Sequence, residues 1–324
     1  MDNLAHTLAG LAIAEGGLRR KTALGATTLA IAANLPDIDA FVYFVGDGLD
    51  ALAFRRGWTH GILAMVVLPG VLAACMWGAS RLRRSRPESP AARWRWLILL
   101  SAVGVWSHPL LDLLNTYGVR LLMPFSNRWF YGDALFIIDP WLWLALIAGI
   151  VWSRRRERRG SANSAAPART ALALLGIYII AMAVSSRWGR GFVARSAGGR
   201  ADRVMVGPQA VNPFRRLVVR DLGDRYETGE LTLGGVAAYR RSGETPTGRD
   251  TDLAAAAAST ADGAAFLSWS RYPRYTAEPG GDGRLVRISD MRYADVRGRG
   301  WASVVVRIPA RNGTPAGHAD LTNQ

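Results

Sequence analysis

The chain has 324 residues, of which 50% are hydrophobic, a formal net charge of +15 and one cysteine. A single cysteine, Cys75, excludes an intramolecular disulfide and a thiolate metal site, so any metal must be held by nitrogen and oxygen ligands. The positive charge would suit nucleic acid, but most basic residues of the first 187 lie in three clusters between apolar segments, at 19–21, 81–95 and 154–169. Such clusters are typical of cytoplasmic loops. We therefore expect the lipid bilayer as a partner and no nucleic-acid binding.

The composition changes near residue 188, which predicts two domains. Residues 1–187 contain the long apolar runs, whereas residues 188–324 are rich in Arg, Gly, Asp and Thr. We predict an α-helical polytopic membrane domain of five spanning helices, preceded by an N-terminal partial or re-entrant helix at 4–18. A small, mainly β (α+β) domain follows. The predicted spans, judged against ~20 apolar residues for a helix that crosses a bilayer, are 22–35, 58–80, 94–114, 134–152 and 170–186.

The basic clusters also predict the orientation of the spans. With the three clusters in the cytoplasm, span 22–35 runs outward, span 58–80 runs inward and span 94–114 runs outward again. This orientation brings the histidines and aspartates of the apolar half to one membrane depth at the outer face. It also places residues 188–324 on the extracytoplasmic side of a multi-pass protein of the bacterial inner membrane.

The C-terminal part has the pattern of short strands separated by Gly, Asp and Pro. An alanine-rich run at 252–259 predicts one helix within it. The predicted strands are 216–220, 230–233, 265–272, 284–288 and 302–308.

Three of the four histidines lie in the apolar half, and the fourth, His318, lies in a polar tail. Ionisable side chains in membrane segments are costly and are usually kept for a function. His108 and Asp112 are four residues apart, which places them on one helical face. Asp37 and Asp39 follow Pro36, which lets the chain turn so that both carboxylates face one centre. The candidate metal ligands are His6, Asp37, Asp39, His60, His108 and Asp112.

Three imidazoles and three carboxylates suit a divalent metal, with zinc the preferred ion and one or more ions in the site. In such sites the metal activates a water molecule for attack. Arg128, in the loop 124–133 on the same outer side, could hold an anionic substrate by a forked hydrogen-bond pair, and Asp133 could act as a base or a further ligand. The candidates for catalytic roles are thus Asp39, Arg128 and Asp133. Asp39 could instead cap a helix.

The apolar half carries five motifs in this order: M-x4-H, N-L-P-D-I-D, R-G-W-T-H, S-H-P-L-L-D-L-L-N-T-Y-G and P-F-S-N-R-W-F-Y-G-D. Their order resembles the LexA-regulated bacterial inner-membrane family of predicted metal-dependent hydrolases. The similarity is strong over residues 1 to about 190 and loose over the C-terminal part. That family is similar, distantly, to zinc-dependent phospholipase C and the P1-type nucleases, which implies phosphoester hydrolysis at a His and Asp metal cluster.

Together, the residues and the resemblance predict a membrane-bound, metal-dependent hydrolase that acts on a phosphoester, which includes one linked to a lipid. Two alternatives remain. The same residues could form the path of a metal-ion or proton transporter, or the metal could merely stabilise a structural or adaptor protein. Neither the substrate nor the oligomeric state follows from the sequence.

Overall fold

A computed structural model of the chain describes residues 1–309 except for 47, 48, 50, 51, 53, 83–90, 199, 200, 202, 298 and 299. The prediction for His318 lies outside the described residues. The helices are α1 (Asn3–Glu15), α2 (Gly25–Ala32), α3 (Val42–Val45), α4 (Ile62–Leu82), α5 (Trp94–Leu113), α6 (Pro140–Arg158), α7 (Ala166–Ser196), α8 (Asp252–Ala258) and α9 (Ala261–Trp269), with 3-10 helices at Leu18–Lys21 and Leu35–Phe41. The strands are β1 (Arg203–Pro208), β2 (Arg215–Asp221), β3 (Arg225–Thr232), β4 (Ala238–Pro246), β5 (Pro273–Pro279), β6 (Gly283–Asp290) and β7 (Ser303–Pro309).

Three of these helices are long and apolar enough to cross a membrane, among the residues that the structure describes: α4, α5 and α7. The described residues therefore support three membrane-spanning helices instead of the five predicted ones. Span 22–35 is mostly the eight-residue helix α2, which at ~1.5 Å per residue is too short for a hydrocarbon core of ~30 Å. Span 134–152 begins later, at Pro140, where Asp139 caps α6 by accepting hydrogen bonds from Trp141 N and Leu142 N. That helix continues into a run of arginines. It is therefore not counted among the helices that are long and apolar enough to cross a membrane.

The chain forms two compact units, and their boundary differs from the predicted one at 187/188. The first unit comprises Met1–Leu222 and Glu227–Gly243, and the second comprises Gly223–Tyr226 and Glu244–Gln324. The difference arises because α7 continues unbroken to Ser196 and contributes Val193 to one apolar core with Val206 and Leu231. Those strand residues therefore belong to the unit that contains the long helices.

Two antiparallel sheets follow the helical region. The strand order is β1-β2-β3-β4 in the first and β5-β6-β7 in the second, with Met205 opposite Val219 and Val286 opposite Val306. Four of the five predicted strands lie in β2, β3, β6 and β7.

The predicted strand at 265–272 is wrong, because most of it belongs to α9. Thr260 caps that helix by accepting a hydrogen bond from Gly263 N at 3.1 Å. Phe266 and Trp269 are both buried, and their spacing of three residues places them on one helical face. An aromatic-rich run that suited a strand is thus the buried face of a short helix.

The packing of α5 against α2 requires a residue without a side chain at Gly104. A Cβ atom there would overlap the Cβ atom of Ala32 and would lie 3.1 Å from the backbone nitrogen of Ala33. We expect Gly104→Ala to lower the free energy of unfolding by about 1–3 kcal/mol, the usual cost of overpacking. Unfolding in mixed detergent, followed by circular dichroism, measures the effect. The matched control is Gly78→Ala in α4, where a Cβ atom meets nothing within 4 Å; equal losses in the two variants would contradict the prediction.

Candidate metal centre

The histidines and aspartates of the apolar half come from four separate segments of the first unit. His6 lies in α1, Asp37 in the 3-10 helix Leu35–Phe41, His60 in the turn before α4, and His108 and Asp112 in α5. The three histidines and Asp112 are completely buried. These polar groups therefore meet inside the protein, away from bulk water.

The side chains lie within ion-pair distance of one another. Asp112 is central: its carboxylate lies 3.3 Å from His6 Nε2, 3.5 Å from His60 Nε2 and 3.7 Å from His108 Nε2. Asp37 Oδ1 lies 3.6 Å from His108 Nε2 and 3.9 Å from His60 Nε2. The rings of His6 and His108 are stacked, with centroids 3.7 Å apart. Five of the six candidate ligands thus lie in one cluster.

Two of the imidazoles are held with the Nε2 atom facing the centre. His108 Nδ1 lies 2.6 Å from the carbonyl oxygen of Ala33, and since a carbonyl only accepts, Nδ1 carries the proton. Thr59 Oγ1 donates to Asp39 at 2.9 Å and lies 2.9 Å from His60 Nδ1, so its oxygen accepts the Nδ1 proton of His60. In both rings the Nε2 lone pair is therefore available, as it is in histidines that bind metals.

The donor atoms fit a metal ion. His6 Nε2, His60 Nε2 and His108 Nε2 are buried and make no hydrogen bond, and buried polar atoms without a partner are costly. Two sets of candidate ligands have all their donor atoms within 4.8 Å of one another: His6, His108 and Asp112, and Asp37, His60 and His108. Imidazole nitrogen with carboxylate oxygen is the ligand chemistry of zinc sites. His108 belongs to both sets.

Asp39 lies beside the histidines but is engaged by other groups. Its Oδ2 atom accepts hydrogen bonds from Arg56 N at 2.8 Å and Thr59 Oγ1 at 2.9 Å, and lies 3.4 Å from His60 Nδ1. It does not belong to either set of candidate ligands among the described residues. Its contacts fit the orientation of His60 better than ligation, and they differ from the helix cap that the sequence also allowed.

Burial would raise the pKa values of both aspartates outside the long helices, but the neighbouring groups reverse the direction. When their Nε2 atoms carry a proton, His108 and His60 hold the pKa of the Asp37 carboxyl below its usual value, and a bound cation at Nε2 would act in the same direction. His60 and Arg55 do the same for the pKa of Asp39. Both carboxylates are therefore ionised at neutral pH, as ligands or orienting groups for a cation must be.

Two arginines of the cluster were missed by the sequence reasoning. Arg56 is buried and lies 3.1 Å from Asp112 through both Nε and Nη2. Arg55 lies 3.0 Å from Asp37 and 3.4 Å from Asp39. The amino group of Met1 also pairs with Asp112. The sequence did offer a signal for these two residues, because Arg55 and Arg56 lie outside the three basic clusters that the predicted topology explains.

The two predicted residues of the loop 124–133 contact other residues of the first unit. The Arg128 guanidinium stacks on Phe130 at 5.3 Å, and its backbone nitrogen donates to Ser126. Asp133 is buried, adopts a positive φ of 53° and pairs with Arg190 at 3.7 Å. Their catalytic roles stay predictions.

Apolar helices of membrane-spanning length together with a buried His and Asp cluster define an integral membrane protein with a candidate metal site. The chain belongs to the YdjM inner membrane protein family, whose model matches residues 1–189. This match confirms the predicted resemblance to the inner-membrane family over the N-terminal part of the chain. The chain is also 24% identical to a protein of Bacillus subtilis (strain 168) named "Uncharacterized protein YfhP", over 90% of this chain and 87% of that protein. No solved structure matches the chain.

Proposed function

We propose that this membrane protein is a metal-dependent hydrolase of phosphoesters, with zinc held by His6, Asp37, His60, His108 and Asp112. The observation that carries the proposal is the convergence of three buried imidazole Nε2 atoms without hydrogen bonds on two carboxylates. Inert buried histidines would be expected to have partners. The family supports a membrane location, and we further propose that the membrane is the bacterial inner membrane, with the centre and the C-terminal part on its extracytoplasmic side.

Zinc would supply Lewis acidity and a water molecule that loses its proton near neutral pH. The reaction replaces the phosphorus–oxygen bond to the leaving alcohol with a bond to the oxygen of water, and the alcohol takes up a proton. In this chain, Ala33 O and Thr59 fix the rings of His108 and His60. Asp39 supports His60 through the same threonine.

Two cationic side chains adjoin the carboxylates and can stabilise the negative charge that develops on the phosphoryl oxygens. Arg56 is buried against Asp112, whereas Arg55 is partly exposed beside Asp37. Cations at this position, in a site from which water is largely excluded, act more strongly than they would in water.

The test is hydrolysis by the full chain purified in detergent. We expect no release of nitrophenol from bis(p-nitrophenyl) phosphate after metal removal, and activity after zinc is added. His60→Ala should stay inactive with zinc, because it loses a ligand of the Asp37, His60 and His108 set. The matched control is His318→Ala, which changes the same residue type in the tail. Stoichiometric zinc without hydrolysis of any phosphoester in a broad screen would overturn the hydrolase and leave a stabilising metal site.

A further inference from the structure

A continuous path of side chains leads from the buried histidines to the protein surface. Asp37 lies 3.6 Å from His108 Nε2, Arg55 Nη2 lies 3.0 Å from Asp37, and Arg55 Nη1 lies 3.5 Å from the hydroxyl of Tyr43. The side chains are 0% exposed at His108, 8% at Asp37 and 21% at Arg55, and Tyr43 is 53% exposed. The exposure of the side chains therefore rises along this path from the buried histidines to the surface.

The path ends on an exposed apolar surface, which we call the aromatic rim. It belongs to the short segment that also carries Asp37 and Asp39. Phe44 is 84% exposed and Phe41 is 66% exposed, with ring centroids 6.1 Å apart. The residues of the aromatic rim are Ile38, Phe41, Tyr43 and Phe44. Clustered exposed apolar side chains of this kind mark contact with a membrane, an apolar ligand or another protein.

The charges beside the path favour an anion once a cation is bound. Asp37, Asp39 and Asp112 contribute three negative charges, and Arg55 and Arg56 contribute two positive ones. The net charge of these side chains is −1, the amino group of Met1 beside Asp112 offsets it, and a divalent ion would make the centre positive. Arg55 is then the most accessible cation of the centre, and its planar fork of donors suits phosphate oxygens.

The path thus joins two ends: the polar cluster of histidines and aspartates, where a cation would bind, and the apolar aromatic rim. We propose that the substrate is an amphiphile, a lipid with a phosphoester head group. Arg55 holds its phosphoryl oxygens beside Asp37, and the aromatic rim holds its acyl chains. This inference rests on the proposed function, and it assigns the recognition of the anion to Arg55 instead of Arg128.

The experiment compares three probes that separate head group from chain: dioleoyl phosphatidic acid, dioleoylglycerol and glycerol 3-phosphate. Their dissociation constants are measured with zinc-loaded and zinc-free full-length protein in detergent by native mass spectrometry. We expect zinc-loaded protein to bind phosphatidic acid at least about ten-fold more tightly than the other two probes, and zinc-free protein to lose most of this preference, because a charge-assisted contact adds about ten-fold or more in affinity.

Variants separate the two ends of the path. Arg55→Gln should weaken phosphatidic acid about ten-fold while zinc stoichiometry and dioleoylglycerol binding stay unchanged, and Arg55→Lys should restore part of the affinity, since it keeps the charge without the fork. Arg187→Gln, an exposed arginine on α7, is the control. The double substitution Phe41→Ser and Phe44→Ser should weaken phosphatidic acid but not glycerol 3-phosphate, and Phe214→Ser, which is also exposed, should change neither.

The outcomes distinguish this inference from the proposed function. If zinc-loaded protein hydrolyses soluble phosphodiesters but binds glycerol 3-phosphate as tightly as phosphatidic acid, the lipid substrate is wrong and the hydrolase stands. If Arg128→Gln weakens phosphatidic acid and Arg55→Gln does not, the assignment to Arg55 is wrong. If the protein binds no zinc, both proposals fail.

Discussion

Replacing His108 with alanine is expected to reduce the zinc content of the purified protein to background, because His108 belongs to both sets of candidate ligands. Mass spectrometry of the metals bound after detergent purification measures this content directly. His318→Ala should keep the wild-type stoichiometry, which shows that the loss does not follow from removing any histidine.

Asp39→Asn should lower the zinc affinity less than His108→Ala does. This variant keeps the size of the side chain but removes the charge that supports His60 through Thr59. Orienting groups of this kind usually contribute 10–100-fold to metal affinity, roughly. We therefore expect zinc affinity in the order wild type, Asp39→Asn, His108→Ala, as measured by competition with a chelator. Full zinc occupancy in His108→Ala would refute the centre described above.

The second large effect is expected for Arg56→Met, which leaves the buried carboxylate of Asp112 without its closest guanidinium. Arg56 also donates to Asn115 Oδ1 at 3.2 Å and to the carbonyl of Gly118 at 3.3 Å. Breaking a buried ion pair by removing one partner costs about 3–5 kcal/mol. We expect a loss of this size in the free energy of unfolding of the metal-free protein, measured in mixed detergent.

Zinc should stabilise Arg56→Met more than it stabilises the wild type, since a bound cation supplies the positive charge that the variant lacks. This comparison separates an electrostatic loss from a packing defect, which zinc would not correct. Arg195→Met, at an exposed position of α7, is the control and should change stability little. An Arg56→Met protein as stable as the wild type would show that Asp112 does not depend on Arg56.

Local spacing predicted the α5 part of the centre well. His108 and Asp112 are one helical turn apart, and both face the other ligands as expected. The membrane character was likewise predictable, because it depends on apolar runs and basic clusters that the sequence states directly. The residues that contact the centre from distant parts of the sequence were harder to predict. Arg55 and Arg56 reach aspartates 16 to 56 positions away, and the spacing of residues along the sequence does not indicate such contacts.

The errors have a common physical cause. Apolar content alone does not tell a spanning helix from a short buried one, and α2 is buried at Leu29 and Ala32 in the interior of the first unit. In the second unit, the same ambiguity between a buried helix face and a strand produced the wrong prediction at 265–272. In both places tertiary packing decides what the local pattern leaves open.

The position of Asp112 at the meeting point of distant segments bears on how the protein matures. His6, His60 and Met1 all reach this one carboxylate, and Met1 lies 111 positions away in sequence. A nascent chain that ends before α5 lacks both His108 and Asp112 and so lacks part of each candidate ligand set. If the centre holds zinc as proposed, a complete ligand set would form only after α5 has been synthesised and packed against the earlier helices, so metal loading would follow the insertion of α5.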